Sequence, residues 1–232
     1  MAIIEVKDVY KIYDETSIPV NAVNGINLKI EQGEFTAIVG PSGSGKTTLL
    51  NLIGGLDLPT RGDIVIEKTN LKDLNSRQLI DFRLNNIGFV FQAYNLIPVL
   101  TAQENVEFVM QVQGMQRHDR AAKSRAILKE VGLAGLEKRR PAELSGGQQQ
   151  RVAVARALVS EPDLVLADEP TANLDSHSAE NLMDLLRDLN QRHGTTFIIS
   201  THDKLVMSYA KRLIKMRDGT IEDDVKEPLK KS

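Results

Sequence analysis

A single glycine-rich stretch constrains the fold of this 232-residue chain more strongly than any other feature. Its residues are Gly40, Pro41, Ser42, Gly43, Ser44, Gly45, Lys46, Thr47 and Thr48. The apolar run over 35–39 has the character of a buried strand, and the largely apolar run over 49–53 has the character of a helix. This order of strand, glycine-rich loop and helix is the one that a phosphate-binding loop requires.

The chemistry of this loop predicts a bound nucleotide. Its glycines allow successive backbone N–H groups to point at one centre, and the helix that follows adds the positive end of its dipole. Lys46 can reach the β- and γ-phosphates, and the Thr47 hydroxyl can ligate Mg²⁺. The plainer alternative is a glycine-rich turn that binds nothing. The spacing, the flanking strand, the lysine and the threonine together favour the nucleotide site.

The composition limits the class of protein. Hydrophobic residues make up 41% of the chain and charged residues 26%, as in ordinary globular proteins. The net charge of −2 argues against non-specific nucleic-acid binding as the main task. The absence of cysteine rules out disulfides and thiolate metal sites and fits a reducing compartment. No apolar run approaches the roughly 18 residues of a membrane span, and the N-terminus has no signal-peptide pattern. We therefore expect a soluble cytosolic protein.

The succession of elements predicts an α/β fold, a P-loop NTPase core with a mainly parallel sheet. Two antiparallel-looking strands precede the loop and predict an N-terminal antiparallel β-subdomain. Helical patterns dominate 91–162, inside a chain that is α/β on both sides, which favours an inserted α-helical subdomain. We expect one domain over 1–232, in which 1–90 and 163–224 form the core and the β-subdomain. The charged segment 225–232 is expected to be a flexible tail.

Local signals mark several helix ends and one hairpin. Thr101 and Glu104 fit a capping box at the start of a helix. Helical spacing also predicts a helix over 71–84. Asp218-Gly219, between two apolar stretches, is a strong hairpin signal.

Two carboxylates, Asp168 and Glu169, directly follow a predicted buried strand. Ligands bind at the carboxyl ends of the strands in α/β sheets. Asp168 is placed to hold Mg²⁺ through water, opposite Thr47. Glu169 is placed to accept a proton from the water that attacks the γ-phosphate. The alternative is a pair of solvated loop acids, and the apolar residues before the pair argue against it.

A second anion site is predicted at the start of another helix. A serine cap and two glycines there offer unhindered N–H groups and a helix dipole. An ordinary helix cap is the alternative, and the serine and glycines alone would not exclude it. One chain rarely needs two such sites for one triphosphate, so the second site is expected to serve the nucleotide of another copy. The residues concerned are Ser145, Gly146, Gly147 and Gln148.

Taken in order, these motifs resemble an ATP-binding cassette (ABC) ATPase over nearly the whole chain. The matching elements are the phosphate loop, Gln92, Leu144 to Gln148, Asp168-Glu169, Ala172 to Asp175, and His202. The resemblance implies ATP and Mg²⁺ as ligands and two cassettes that pair head to tail. Ser145 and Gly147 of one copy then contact the γ-phosphate held by Lys46 of the other.

The same resemblance implies roles for four further residues. Gln92 senses Mg²⁺ and the attacking water, and it links the α/β core to the helical subdomain. His202 orients Glu169, the water and the γ-phosphate. Asp175 belongs to the loop that crosses the dimer interface. Tyr13 aligns with the aromatic residue that stacks on adenine, whereas an exposed tyrosine after a strand is more often a packing residue.

The histidines differ in their surroundings in the sequence. A single histidine after a strand is usually a surface or core residue. His202, however, ends a buried strand adjacent in order to the Asp168 strand, so we expect it on the catalytic side of the sheet. His118, His177 and His193 have no partner spacing and are interpreted as solvated. No metal site beyond nucleotide-bound Mg²⁺ is predicted.

Among ABC cassettes, the segments 92–105 and 169–175 resemble most closely the LolD, MacB and FtsE group. This resemblance implies integral membrane permease-type partners and a peripheral position on the cytoplasmic face of the inner membrane. It also implies a role in lipoprotein release, efflux or transmembrane mechanotransmission. Segment 92–104 is a candidate surface for the partner, through Leu96, Ile97, Val99 and Leu100.

Two other classes compete with this interpretation. One is a soluble ABC ATPase that acts on nucleic acid or ribosomes. Such proteins generally carry two cassettes or a long coiled-coil insertion, and this sequence has neither. The other is a regulatory nucleotide-binding module without turnover, and the presence of Glu169 and His202 argues against it.

Overall fold

The computed structural model describes residues 1–14 and 19–226. The strands are β1 (Ala2–Tyr13), β2 (Val20–Glu31), β3 (Phe35–Val39), β4 (Arg61–Ile66), β5 (Thr69–Asn70), β6 (Ile87–Val90), β7 (Leu164–Asp168), β8 (Thr196–Thr201), β9 (Arg212–Arg217) and β10 (Thr220–Lys226). The α-helices are α1 (Lys46–Ile53), α2 (Ser76–Asn86), α3 (Ala102–Val112), α4 (Arg117–Glu130), α5 (Gly146–Leu158), α6 (Ser176–His193) and α7 (Lys204–Tyr209).

A six-stranded sheet forms the centre of the molecule, in the order β10-β9-β3-β8-β7-β6. All neighbouring pairs in it are parallel except β9 and β10, which form the predicted antiparallel hairpin. Every residue of β3 and β8 is buried, as expected for strands covered on both faces. The carboxyl ends of β3, β7 and β8 therefore meet at one edge of the sheet, and the predicted site residues follow these ends.

The second sheet has four antiparallel strands in the order β2-β1-β4-β5. Helix α1, which begins at Lys46, packs between the two sheets. Its Leu49 and Ile53 share one buried cluster with Ile4 of β1 and Leu166 of β7. The mainly parallel sheet and the antiparallel β-subdomain confirm the predicted fold class. Because α1 is buried on both sides, the loop at its start is held firmly.

Segment 91–162, all of which the structure describes, contains three α-helices and a short 3₁₀ turn but no strand. Helices α3, α4 and α5 pack on one another. The predicted capping box of Thr101 and Glu104 starts α3, and Ser145 caps α5. This helical segment fits the predicted inserted subdomain. Among the described residues, no helix has both the length and the apolar character needed to span a bilayer.

Two local predictions are wrong. The helix predicted over 71–84 is interrupted, because Asn75 caps a new helix, α2, through a capping box with Gln78. Leu71–Asp73 instead form a turn of 3₁₀ helix. The predicted flexible tail also begins too early, because Val225 and Lys226 pair with β9. The rest of that predicted tail, 227–232, lies outside the described residues.

Candidate functional site

A cavity of about 830 Å³ opens at the carboxyl edge of the central sheet. It brings together four parts of the chain that the sequence places in the site: the glycine-rich loop, Gln92 shortly after β6, Glu169 directly after β7 and His202 directly after β8. Gly40 and Asp168, also predicted site residues, do not line it. The predicted residues that line it are Tyr13, Pro41, Ser42, Gly43, Ser44, Gly45, Lys46, Thr47, Thr48, Gln92, Glu169 and His202.

The glycine-rich loop is folded so tightly that side chains would not fit at two positions. A Cβ atom on Gly40 would lie 2.2 Å from the carbonyl oxygen of Met216, and one on Gly45 would lie 2.3 Å from that of Ala22. Gly45 also has a φ of 96°, in the left-handed region that glycine favours. The loop is therefore pressed against β2 and β9, which fixes its shape before any ligand binds.

The polar groups of the loop are suited to a phosphate ligand. The Lys46 ammonium group is largely buried and donates to the carbonyl oxygens of Gly40 and Pro41, at 2.9 Å each. The Ser44 hydroxyl is almost fully buried and has no hydrogen-bond partner among the described residues. Buried polar groups are nearly always paired. The Ser44 hydroxyl without a described partner and the Lys46 ammonium group, bonded to two carbonyls, are therefore both suited to bind an anionic group in the cavity.

The residue types at the junction of the loop and β7 suit a hard metal ion. The Thr47 hydroxyl lies 3.1 Å from both carboxylate oxygens of Asp168. The Ser200 hydroxyl donates to the same carboxylate. Hydroxyl, carboxylate and water oxygens are the ligands that Mg²⁺ prefers. The residues present thus fit Mg²⁺.

Glu169 and His202 form a pair at the mouth of the cavity. The Glu169 Oε1 atom lies 2.8 Å from His202 Nδ1, and Thr201 donates to Oε2 at 3.4 Å. The Glu169 backbone has a φ of 45°, and its N–H donates to Ser200 O at 3.0 Å. Non-glycine residues in this region of backbone space concentrate at functional sites. The arrangement offers a carboxylate that is oriented by a histidine and available as a proton acceptor.

The loop that carries Gln92 is held from two sides. Asn173 Nδ2 donates to Gln92 O at 2.8 Å, so this loop contacts the segment that follows Glu169. On the other side, Arg156 of α5 donates to Tyr94 O and Asn95 O. Gln92 therefore lies at a junction between the cavity and the helical segment.

Tyr13, the last residue of β1, also lines the cavity. Its hydroxyl donates to Asp57 at 2.8 Å, and the Lys11 ammonium group lies 4.9 Å from the centre of its ring. The aromatic side chain is thus held at the rim, on the same wall as Asn21 and Ala22 of β2.

The second predicted anion motif does not line the cavity. Ser145 is exposed and caps α5, with its hydroxyl accepting from Gln148 N–H and the Gln148 side chain accepting from Ser145 N–H. Asp175 likewise caps α6, accepting from Ser178 N–H at 3.0 Å. Gly146 and Gly147 begin α5 beside Tyr94 and Ser178 respectively. A single chain therefore brings together only part of the predicted site residues.

Several residues of the site were missed by the sequence reasoning. Asn21, Ala22 and Asp218 line the cavity, and Ser200 and Thr201 donate to the two carboxylates. The position of Ser200 and Thr201 at the end of a buried strand beside β7 could have identified them. No local signal marks the other three, because their place depends on how β2 and the β9–β10 hairpin cross the loop.

The fold and this cavity define a P-loop nucleotide-binding protein. The sequence profile of the family described as "ABC transporter" matches residues 23–172. The chain therefore belongs to the ABC transporter family, as an ATP-binding cassette.

Known relatives agree with this assignment. The chain is 46% identical over 227 residues to the macrolide export ATP-binding/permease protein MacB of Mannheimia succiniciproducens, covering 98% of this chain and 35% of that protein. It thus spans about a third of the length of that relative. It is 45% identical over 230 residues to the ABC transporter ATP-binding protein MJ0796 of Methanocaldococcus jannaschii, which it matches over 96% of this chain and 97% of that one.

A solved structure of the MJ0796 cassette, a dimer in a post-hydrolysis state bound to ADP and Pi, superposes with a TM-score of 0.89. The two chains are 43% identical, and the match covers 96% of this chain and 98% of the other. The fold and the approximate course of the cavity-forming elements are therefore shared with a nucleotide-bound cassette.

Proposed function

We propose that this chain hydrolyses ATP as one half of a head-to-tail homodimer and thereby drives an integral membrane partner. One observation carries the proposal. The cavity gathers the phosphate loop and an oriented carboxylate, with Asp168 at the Thr47 hydroxyl, whereas the second anion motif, at Ser145, lies on the surface of the same chain. A complete site then needs the Ser145 motif of another copy.

Within one chain, each cavity residue has a definite task. Residues 40–48 cradle the phosphates, and Lys46 exchanges its bonds to backbone carbonyls for bonds to the β- and γ-phosphates. Glu169 accepts a proton from the attacking water. His202, at hydrogen-bond distance from Glu169, orients the carboxylate and the γ-phosphate relative to each other. Tyr13 supports the base at the rim.

Thr47 and Asp168 would hold Mg²⁺, with Gln92 reaching it from the loop after β6. The bound ion would neutralise charge on the β- and γ-phosphate oxygens. The hydroxyl–carboxylate contact at 3.1 Å keeps both oxygen ligands together at the phosphate end of the cavity. The Ser200 hydroxyl orients the Asp168 carboxylate from behind.

The second copy supplies Ser145, Gly146, Gly147 and Gln148 to the γ-phosphate, with Asp175 near the interface. The first N–H groups of a helix have no partner within that helix, and its dipole favours an anion. The capping box fixes α5 at this end, so the Gly146 and Gly147 N–H groups are oriented in advance. The dimeric state of the solved MJ0796 cassette supports this arrangement.

The membrane partner is supported by the relative named as an ATP-binding/permease protein, of which this chain spans about a third. We place the chain beside the cytoplasmic face of the inner membrane, in the LolD, MacB and FtsE group. A groove next to the Gln92 loop is the docking surface. Segment 92–104 contributes only Asn95 to this groove, since Leu96 packs in the core and Val99 is 72% exposed elsewhere.

Replacing the proposed base tests the catalytic part. Glu169→Gln removes the proton acceptor but keeps the shape of the side chain, so ATP turnover should fall about 10²–10⁴-fold while ATP binding persists. The ATP-bound dimer should accumulate, as measured by size-exclusion chromatography with light scattering. Glu180→Gln, on the exposed face of α6, is the matched control and should keep normal turnover. Near-normal hydrolysis by Glu169→Gln would refute the assigned base.

The competing soluble function has its own test. The full-length protein should co-purify from detergent-solubilised membranes with an integral membrane protein. The ratio of the two proteins should depend on the ATP-bound state. Recovery with ribosomes or DNA alone would contradict the membrane assignment and favour the soluble alternative.

A further inference from the structure

Gln150 of α5 is a fully buried polar side chain that the site described above does not use. It is 0% exposed, and the residues that follow it inside the same helix, Val152, Ala153 and Val154, are apolar and equally buried. Its Nε2 group donates to the carbonyl oxygen of Pro170 at 2.7 Å. Its Oε1 atom has no hydrogen-bond partner among the described residues. Glutamine is seldom buried to this extent, so its presence at this position needs a physical reason.

Packing alone does not explain a glutamine at this position. A buried carbonyl oxygen that receives no hydrogen bond costs free energy, and a methionine would fill nearly the same space without that cost. What Gln150 provides and an apolar residue cannot is a donor to Pro170 O. The described residues offer this oxygen no other donor. The reason for the glutamine therefore lies with the segment that contains Pro170.

Pro170 lies in a tight turn that begins at Glu169. The N–H group of Ala172 donates to Glu169 O at 3.2 Å, so residues 169–172 form a four-residue turn with proline at its second position, as β-turns favour. The Pro170 carbonyl belongs to the middle peptide group of this turn. The orientation of that peptide group distinguishes one turn type from another. The hydrogen bond from Gln150 thus fixes the peptide group on which the geometry of the turn depends.

The first residue of the turn, Glu169, is held in an uncommon backbone conformation. Its φ is 45°, and such a conformation persists only where the surroundings hold it. From β8, Ser200 O accepts from the Glu169 N–H group at 3.0 Å, and His202 Nδ1 lies 2.8 Å from the carboxylate. Gln150 provides the corresponding contact from α5, one peptide group further along the chain. The direction of the carboxylate therefore depends on both elements.

We propose that Gln150 is a positioning residue for ATP hydrolysis, and that its bond to Pro170 O fixes the turn that directs the Glu169 carboxylate at the attacking water. This inference rests on the proposed function and adds a residue to the same site. Gln150 is fully buried and does not line the cavity, so it acts through Glu169 and contacts no nucleotide. Its contribution is geometric. A reacting group displaced by about 1 Å can lower the rate about 100-fold.

The first test is Gln150→Met, which removes the donor and keeps the length of the side chain. In steady-state assays of the full-length protein, kcat should fall about tenfold or more, while the KM for ATP stays unchanged because the phosphate loop is not altered. The free energy of unfolding, measured with urea, should change little, since an unpaired Pro170 O replaces an unpaired Gln150 Oε1. Gln113→Met is the matched control. Gln113 also donates to a distant backbone carbonyl, Leu84 O at 2.9 Å, but outside the cavity, so kcat should stay normal.

The second test is Gln150→Glu, which gives a readout that a packing role would not move. A protonated carboxyl group can donate to Pro170 O, whereas an ionised one cannot. Burial raises the pKa of a carboxyl group, so lowering the pH from about 8 to about 6 should increase the protonated fraction. The ratio of kcat in this variant to kcat in the wild type should rise over the same range. The corresponding ratio for Gln150→Met should not depend on pH.

A double substitution shows whether Gln150 acts through the base. The Glu169→Gln protein lacks the base, so adding Gln150→Met should not lower its residual kcat further. An equal further loss in both backgrounds would assign Gln150 a role independent of Glu169 and would overturn the proposal.

Two other outcomes overturn it as well. One is a normal kcat in Gln150→Met, and the other, which decides the matter even if that variant folds poorly, is a pH-independent ratio in Gln150→Glu. The proposed function fails on a different result. Near-normal hydrolysis by Glu169→Gln refutes the base itself, whereas a fully active Gln150→Met refutes only its positioning by Gln150.

Discussion

A buried arginine on β9 provides a sharp test of how the two sheets are joined at the amino end of β3. Arg212 is only 5% exposed. Its guanidinium makes a bidentate pair with Asp224 of β10, at 2.8 and 2.7 Å, and donates to Glu34 at 2.9 Å. It also donates to the carbonyl oxygen of Lys29 on β2, at 2.7 Å. One side chain thus connects both sheets.

Arg212→Met keeps most of the volume but removes all of these hydrogen bonds. Breaking a buried ion pair by removing one partner costs about 3–5 kcal/mol. The side chains of Glu34 and Asp224 are 20% and 36% exposed, so both carboxylates can regain part of their hydration. We therefore expect a loss of about 2–3 kcal/mol in the free energy of unfolding, a large fraction of the total for a domain.

Urea denaturation followed by circular dichroism measures this loss. Lys215→Met is the matched control, because Lys215 pairs with Asp223 on the exposed face of the same hairpin. Exposed pairs contribute at most about 1 kcal/mol. A loss in Arg212→Met no larger than that in Lys215→Met would refute the reasoning.

The stability lost in Arg212→Met should depend on pH in a defined direction. The hydrogen bond from Arg212 lowers the pKa of Asp224 below its ordinary value of 3.8. A carboxyl whose folded pKa is lowered adds stability above its unfolded pKa and loses it as the pH falls through the folded value. The difference between wild type and Arg212→Met should thus be constant near neutral pH and shrink below about pH 3.8. A difference that grows on acidification would contradict the sign.

Two further substitutions test the site. Ser145→Arg should abolish ATP hydrolysis while each monomer still binds ATP, because the bulky cation blocks the surface that meets the second copy. Ser145→Ala measures separately the stability lost with the helix cap, about 1 kcal/mol. Ser76→Arg, at the start of α2, is the control. Normal turnover by Ser145→Arg would exclude the composite site. Gly45→Ala should destabilise the fold and weaken ATP binding more than Gly135→Ala. Both glycines have positive φ, but only a methyl group at position 45 would meet a backbone atom, at 2.3 Å. Equal losses of stability and of ATP affinity in the two variants, measured by calorimetry, would show that the clash is unimportant.

Elements with local signals were predictable from the sequence. The caps at Thr101 and Ser145 involve residues within four positions of each other, so their partners are visible in the sequence. The hairpin at Asp218-Gly219 is local for the same reason. The break at Asn75 also has a local signal, Asn75 with Gln78, but continuous helical spacing obscured it.

Contacts between distant segments could not be predicted in this way. Arg156 looks like any helical arginine in the sequence, and only the packing of α5 against the Gln92 loop shows that it donates to backbone carbonyls there and pairs with no carboxylate among the described residues. The walls formed by Ala22 and Asp218 depend on the crossing of β2 and the β9–β10 hairpin over the loop.

The sequence by itself determined the chemistry of the site. Glycine spacing, Lys46 and Thr47 specify a phosphate loop, and Asp168-Glu169 after an apolar strand specifies its acidic partners, because each motif is contiguous. Only the tertiary structure decided which of these groups meet. The order of strands places β8 between β3 and β7, which sets His202 beside Glu169. Ser145, the cap of α5 in the helical segment, lies on the surface. Strand order depends on how apolar faces of segments far apart in the chain pack together, and the local sequence of each strand does not indicate its neighbours.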